Sequence, residues 1–181
     1  GVKTVIKIAD GREAPSNCSY YTERRETGKP IVRTYYDGLD RKVRSMVQRP
    51  DGTWLKTDYS YNSLGLLDRE SDPYKGSSPK AWTCYTYDVH GRLISKSYPD
   101  GHSDNYSYNG LTTISCVNGQ RSEVTVDELG YVTNVEQDGS SIDYVVRPDG
   151  QPHEITIDGE RPTTFTYDNY GRPVSIADPS A

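Results

Sequence analysis

The feature of the sequence that most constrains the fold is the pattern of residues 85–101, YTYDVHGRLISKSYPDG, which recurs in weaker form along most of the chain. Successive side chains of a strand point to opposite faces, so Tyr85 and Tyr87 are predicted to share one face. Asp88 can accept hydrogen bonds from amides two residues later, and Gly91 can adopt the positive φ that closes such a turn. A second strand follows and ends at Pro-Asp-Gly. The pattern therefore predicts a β-hairpin with a second turn behind it.

Weaker copies of this unit occur at six other places and are found by aligning the turn residues. The turn glycines are 26 residues apart between Gly65 and Gly91, and 21 residues apart between Gly150 and Gly171. This period is typical of repeats that each form one supersecondary unit. In the first copy Asp40 stands where the glycine is expected. The residues assigned to the turn motif are Asp37, Asn62, Gly65, Asp88, Gly91, Arg92, Asp127, Gly130, Gly150, Asp168, Gly171 and Arg172.

Two copies carry a specific resemblance. Residues 87–93, YDVHGRL, and residues 167–172, YDNYGR, resemble the YD repeat of the RHS family, and the resemblance extends over roughly residues 34–179. It implies a bacterial cell-surface, wall-associated or secreted protein. In large members of the family the repeats form a spiralling β-sheet that encloses a C-terminal toxin, and family members have been associated with carbohydrate binding.

The start of the chain departs from the repeat pattern. Alternation of side chains predicts a strand at residues 2–8, closed by an Asp-Gly turn at residues 10–11, and a second strand at residues 18–26. Terminal repeats are often atypical. Residues 1–33 are therefore interpreted as a divergent N-terminal β unit or cap, and residues 34–181 as one continuous array of YD-type hairpins.

No helical period is present in any useful window, and Gly and Pro recur too often for a helix of normal length. The predicted fold is all-β: an antiparallel meander of β-hairpin repeats that forms a twisted, curved, elongated sheet. Residues 106–110 end in Asn-Gly, the commonest signal of a type I′ hairpin. Residues 72–80 form the longest stretch without strand signals and are the best candidate for a mobile loop or binding rim.

Composition excludes several classes of function. Hydrophobic residues make up 33% of the chain and the mean hydropathy is −0.83, which indicates a sheet with much solvated surface rather than a thick core. The net charge of −5 argues against nucleic acid as a main partner. No apolar stretch is long enough to span a membrane. Because Gly1 is an unusual natural start, we expect the sequence to be cut from a longer chain.

The sequence contains no catalytic, metal or cofactor motif that we can identify. The aspartates recur at one repeat position, which favours turn capping over a catalytic pair, and the three histidines lie at or beside turns. Three cysteines without a C-x-x-C spacing exclude a simple zinc or redox motif. One disulfide is compatible with the sequence, which favours no pair, and three buried or half-buried free thiols are the favoured interpretation. No enzyme activity, cofactor or metal is therefore predicted.

Two functions remain as hypotheses. The first is a non-catalytic structural and interaction segment of a larger bacterial cell-surface or secreted protein, contacting neighbouring repeats of its parent chain and forming part of a toxin-enclosing β shell. The alternative is a carbohydrate-binding module, with a polysaccharide stacked on Tyr- and Trp-rich strand faces. The candidate ligand-binding residues are Trp54, Trp82, Tyr85 and Tyr87.

Overall fold

A computed structural model describes residues 1–8 and 13–179. All regular elements within these residues are β-strands. The sixteen strands in the described part are β1 Val2–Ile8, β2 Tyr20–Glu26, β3 Val32–Tyr36, β4 Lys42–Gln48, β5 Trp54–Tyr61, β6 Leu67–Ser71, β7 Trp82–Tyr87, β8 Leu93–Ser97, β9 Ser103–Asn109, β10 Thr112–Val117, β11 Gln120–Val126, β12 Val132–Gln137, β13 Ser140–Val146, β14 Pro152–Ile157, β15 Thr163–Tyr167 and β16 Pro173–Ala177.

The chain divides into two compact units, Gly1–His102 and Ser103–Ala181. In the first unit β1 to β8 pair in sequence order, and every pair is antiparallel. In the second unit β9 to β16 do the same. The all-β antiparallel meander predicted from the repeats is confirmed. The described residues include no helix that could cross a lipid bilayer.

The two strands predicted near the N-terminus correspond to β1 and β2. The Asp-Gly turn expected at residues 10–11 lies outside the described residues. The separation of residues 1–33 as a cap stays a prediction, and strand β3 runs across that boundary.

A β-bulge follows the turn in six hairpins. In the hairpin of β5 and β6, Tyr61 lies opposite Leu67, whereas Ser60 lies opposite Arg69, so Asp68 is an extra residue. Such a bulge bends the strand and increases its twist. Because it recurs at one repeat position, the local bend is part of the repeat. The extra residues are Val43, Asp68, Ile94, Thr133, His153 and Val174.

The hydrophobic core of the first unit is small and rich in tyrosine. Tyr21, Tyr35, Val43 and Met46 are buried together, and the rings of Tyr21 and Tyr35 stack with centroids 5.0 Å apart. Among the described residues of the second unit, no apolar side chain is buried. Strand pairing and turns therefore carry a larger share of the stability of the second unit.

A charged residue is also buried in the first unit. The Glu23 carboxylate accepts hydrogen bonds from Nε of Arg25 at 2.9 Å and from Nε of Arg33 at 2.8 Å. Burial alone would raise the pKa of Glu23, but the hydrogen bonds and charges of the two arginines outweigh it and hold that pKa below its usual value. Glu23 is thus a paired, ionised anchor between β2 and β3.

The expectation of a structureless stretch at residues 72–80 is wrong at Tyr74. Tyr74 forms an isolated antiparallel bridge with Lys56, with backbone hydrogen bonds of 2.8 and 2.9 Å, and its ring is buried. Its hydroxyl donates to Asp58 at 2.8 Å, and Arg44 donates to that hydroxyl at 3.0 Å. Burial and the contact with Asp58 raise the pKa of Tyr74 to about 12. The segment is therefore bound to β5 at Tyr74, through the backbone of Lys56 and the side chain of Asp58.

The type I′ turn expected at Asn109-Gly110 is also wrong. Asn109 pairs with Thr112 at the ends of β9 and β10, so Gly110 and Leu111 are the two turn residues. Gly110 has a φ of 59°, and Leu111 does not have positive φ. A type I′ turn requires positive φ at both central residues, whereas a type II′ turn requires it only at the first. The backbone therefore follows the II′ pattern.

We expect Met46→Ala to lower the free energy of unfolding of the first unit by about 2–5 kcal/mol, because it opens a cavity at a fully buried position. Ile6→Ala is the matched control, since the Ile6 side chain is 71% exposed and its loss should cost less than about 0.5 kcal/mol. Both tryptophans lie in the first unit, so urea denaturation followed by tryptophan fluorescence reports on it. Equal midpoints for the two variants would contradict the assignment of the core.

Candidate functional site

The best-defined constellation of polar side chains is a five-residue turn that recurs at eight places in the described residues. In the turn of β7 and β8, Oδ1 of Asp88 accepts hydrogen bonds from the amides of His90 and Arg92, both at 2.9 Å. The amide of Gly91 donates to the Asp88 carbonyl at 3.0 Å, and the amide of Asp88 donates to the Arg92 carbonyl at 2.9 Å. Gly91 has a φ of 80°. The five residues 88–92 thus form a closed loop whose inner amides are bonded to the first side chain.

The same loop recurs with two sequence solutions. In the first solution, the opening residue is Asp or Asn and its side chain accepts the two inner amides, as Asn62 does from Leu64 and Leu66 at 3.0 Å. In the second, the opening residue is unrestricted and a Pro-Asp-Gly sequence follows. There Asp149 accepts from the amide of Gln151 at 3.1 Å. The loops of the first kind are 37–41, 62–66, 88–92, 127–131 and 168–172, and those of the second kind are 49–53, 98–102 and 147–151.

Arginines complete three of these loops. Nε of Arg92 donates to Oδ2 of Asp88 at 2.7 Å, and Arg172 donates to Asp168 in the same way at 2.7 Å. A hydrogen bond from the Arg92 amide, which is the larger contribution, and one from the Arg92 guanidinium lower the pKa of Asp88 below its ordinary value. The amide and guanidinium of Arg172 lower the pKa of Asp168 in the same way. The motif residues are therefore engaged with one another inside each loop.

At several turns, the residue after the turn glycine reaches the next turn along the same edge. Gln151 donates from Nε2 to the carbonyl of Gly171 at 2.8 Å. A Cβ placed on Gly150 would lie 2.7 Å from the ring of Tyr131, so the ring covers this glycine closely. Leu66 lies against Gly91 in the same arrangement, with 3.6 Å between its Cδ1 and such a Cβ. We call this series of contacts the turn ladder.

Tyrosine hydroxyls form a second series of contacts between repeats. The tyrosine just before a turn donates to the first carbonyl after the preceding turn on the same edge. Tyr87 donates to the carbonyl of Leu67, and Tyr167 to that of Pro152, each at 2.8 Å. Tyr61 donates to the carbonyl of Lys42 at 2.8 Å. Sequence reasoning missed this role, although the tyrosine next to the turn Asp or Asn in each of these copies was its signal.

Cations add to these contacts. The guanidinium of Arg41 donates to Asp37 of its own turn at 2.8 Å and lies over the ring of Tyr61 in the next repeat, 4.7 Å from its centroid. Arg147 lies over the ring of Tyr167 at 4.9 Å. Such cation–π contacts contribute about 0.5–2 kcal/mol each, depending on exposure. One arginine thus joins two successive repeats.

The four candidate sugar-binding residues are not brought into one surface. Trp82 and Tyr85 are three residues apart on β7, so their side chains face opposite sides of the sheet. Tyr87 lies on the strand with Tyr85 and uses its hydroxyl within the protein. Each tryptophan ring also has a guanidinium over one face, since Arg33 lies 4.5 Å from the ring of Trp54 and Arg69 lies 4.7 Å from that of Trp82.

Other chemically active side chains are dispersed. No group of three or more His, Cys, Asp or Glu side chains in the described residues is arranged to hold a metal ion. Cys18, Cys84 and Cys116 are free thiols. Cys18 and Cys116 are half-buried, but the expectation of three buried or half-buried thiols is wrong for Cys84, which is exposed on β7. Burial raises the pKa of the Cys18 thiol, which lowers its reactivity.

Comparison with known proteins shows likeness at the level of the fold. No protein-family profile and no curated protein matches the sequence. The chain is similar to the crystal structure of TcdB2-TccC3-Cdc42, with a TM-score of 0.66 and 13% identity over 94% of this chain and 12% of that chain. It is also similar to TcdB2-TccC3 without the hypervariable C-terminal region, with a TM-score of 0.52 and 15% identity over 90% and 10% of the two chains. The chain thus spans about a tenth of the length of these structures.

We expect Gly150→Ala to destabilise the second unit more than Gly130→Ala does. Both glycines have a φ near 85°, so both substitutions should cost roughly 1–2 kcal/mol for the left-handed backbone. Only the Cβ at position 150 would clash with the Tyr131 ring, which adds about 1–3 kcal/mol. Chemical denaturation followed by circular dichroism measures the difference.

The double variant Tyr131→Ala/Gly150→Ala is the control for this contact. Removing the ring should recover part of the loss, which gives a coupling energy between the two positions. Equal effects of the two glycine substitutions, or strict additivity in the double variant, would rule out the turn ladder at this place.

We expect Asp88→Asn to make the stability less sensitive to acid. The folded pKa of Asp88 lies below the unfolded value of about 3.9, so its charge adds stability that is fully present above about pH 5 and is lost as the pH falls through the folded pKa. Asn can still accept the two inner amides, as Asn62 does. The difference in melting temperature between wild type and Asp88→Asn should therefore shrink in acid.

Asp88→Ala separates the two contributions, because it removes both the charge and the amide bonds. It should melt below Asp88→Asn at neutral pH and remain below it in acid. A difference between wild type and Asp88→Asn that stays constant from pH 7 to about pH 3 would show that the ionised form has no preferential role.

Proposed function

We propose that this protein is a non-catalytic structural and interaction segment of a larger bacterial cell-surface or secreted protein, in which its hairpins stack with neighbouring repeats of the parent chain. The observation that carries the proposal is the turn ladder. The last residue of a closed loop, such as Leu66, Tyr131 or Gln151, places its side chain against the next turn along the same edge. The recurring residues thus serve contacts between repeats.

The geometry also argues for stacking rather than catalysis at the recurring acids. A catalytic pair requires two carboxyl groups that converge on one bond of a substrate. Here Asp88 and Asp168 each bond to their own loop and to their own arginine. Their lowered pKa values follow from these local bonds, so the perturbation has a structural cause.

The finer proposal is a wall of a β shell. The resemblance of residues 87–93 and 167–172 to YD repeats implies such a wall, and the likeness to TcdB2-TccC3 supports the fold that it requires. A wall built in this way grows by adding hairpins, because each repeat contacts only its neighbours. The described strands within each unit follow this rule, since each packs against the strands before and after it. Extracellular or cell-surface localisation, with an association to cell wall or outer membrane, is part of the same proposal.

The test is the removal of one whole repeat. Deleting residues 132–151 removes two strands and joins Tyr131 to Pro152, so β14 follows the loop 127–131 directly. The loop 168–172 then still lies on the same edge of the sheet as the loop 127–131. The ring of Tyr131 would then meet Gly171 in place of Gly150. If the chain is a stack of equivalent repeats, this variant should remain folded, with β-sheet circular dichroism and a melting temperature within about 5 °C of the wild type.

A shorter deletion provides the matched control. Removing residues 132–141 takes out β12, the turn after it and the first two residues of β13. The number of strands then falls by one instead of two, so every later turn moves to the opposite edge and the turn ladder of the second unit is broken. This variant should melt clearly below the whole-repeat deletion. The proposal is wrong if the whole-repeat deletion unfolds while the shorter one folds, or if the two lose the same stability.

A further inference from the structure

One face of strands β11–β16 is apolar and uncharged. Four aliphatic side chains lie directly opposite one another in a row across β11 to β14, because Val124 pairs with Val135, Val135 with Ile142, and Ile142 with Ile157. Phe165 pairs with Ile176 on the same side of β15 and β16. The strand residues that share this side include Ser, Thr, Gln and Tyr but no Asp, Glu, Lys or Arg. At its edge, the guanidinium of Arg147 from the adjoining turn lies over the ring of Tyr167. We call it the uncharged face.

The opposite side of the same strands is acidic. Glu123 lies opposite Glu136, and Asp143 follows on β13. Glu154 of β14 lies on this side too, opposite Val145 of β13. Residues 103–181 contain 13 Asp and Glu but only four Arg and no Lys, so their formal net charge is −9. In a unit of this charge, six successive strands with no carboxylate or amine on one side form a separate environment.

Among the described residues of the unit, no second layer covers the uncharged face. Each of these strands packs against its sequence neighbours alone within the unit. The central side chains are half-buried, and the outer Ile157 and Ile176 remain 54% and 64% exposed. A sheet with one apolar face normally buries that face against another layer.

We propose that the uncharged face packs against the same face of a second copy of this chain, so that two sheets form a sandwich related by a two-fold axis. A two-fold contact places each surface against itself, and this face is self-complementary because it brings no like charges together. Two stacked sheets with interdigitating aliphatic side chains are a standard architecture, with the layers about 10 Å apart.

The area fits a reversible dimer. Six strands about 4.8 Å apart, with about six residues of 3.3 Å each, make a face of roughly 29 by 20 Å. This buries roughly 600 Å² per copy, or about 1,200 Å² in the dimer, at the lower limit of specific stable interfaces. An interface of this size is typical of a weak, reversible association.

Electrostatics give this dimer a distinctive salt dependence. Two acidic units repel each other, and no ion pair forms across the uncharged face. Added salt screens that repulsion. The dimer should therefore tighten as the salt concentration rises, whereas an association held by surface ion pairs would weaken.

Sedimentation velocity of the full chain over micromolar concentrations, at low and high salt, tests the proposal. We expect a monomer–dimer equilibrium, with Ile142→Thr raising the dissociation constant at least about tenfold. Val145→Thr is the matched control, because Val145 lies three residues away on the same strand but on the acidic side, and it should change the constant less than about twofold. Both substitutions keep a β-branched side chain, so the strand is retained.

Circular dichroism and the melting temperature establish that each variant is folded. Should Ile142→Thr fail to fold, Ile157→Thr replaces it, since that side chain is next in the row and more exposed. A wild type that stays monomeric throughout, a series of ever larger species typical of edge-to-edge strand pairing, or equal effects of Ile142→Thr and Val145→Thr would each overturn the proposal.

Discussion

The rest of the structure depends on the closed five-residue turn, because this turn positions the side chains and carbonyls through which successive repeats contact each other. Hydrogen bonds from loop amides to an Asp or Asn side chain at the first or third position fix the residue after the glycine at the edge of the sheet. From that position Leu66, Tyr131 and Gln151 reach the following turn. The bulge that follows most of these turns then places a strand carbonyl where the next tyrosine hydroxyl can donate to it. The hydrogen bonds within each turn thereby also position the contacts between successive repeats.

The two sequence solutions of the turn explain how the repeat tolerates divergence. The loop opened by Arg147 lacks the initial Asp, yet Asp149 supplies an acceptor from the third position and the backbone bonds are the same. The neighbouring contacts persist: Tyr167 donates to the Pro152 carbonyl just after this loop, and Gln151 reaches Gly171. Keeping the backbone geometry of the loop, with either side chain as acceptor, is therefore sufficient to maintain the contacts between successive repeats.

The local parts of the fold could be predicted from the sequence, and the long-range parts could not. Asp40 in place of glycine indicated a left-handed turn residue, and its φ is 59°. Nothing local to Tyr74, in contrast, signals a bridge to Lys56, because the partner lies eighteen residues earlier and the intervening turn decides the approach. The target of the Tyr87 hydroxyl is likewise twenty residues away. Periodicity places such side chains on a face but does not say which carbonyl they meet.

The two units show that the turns, and not a hydrophobic core, define this repeat. Met46 and the stacked ring of Tyr35 give the first unit a buried centre, and the described part of the second unit has no buried apolar side chain. Both units nevertheless contain hairpins that are closed by the same five-residue loop and followed by the same bulge. If burial specified the hairpins, the second unit would require a different turn chemistry. Turns and contacts between neighbouring strands therefore suffice to hold the hairpins together, and the faces of the sheet are not needed for this. The uncharged face around Ile142 can then contact another molecule.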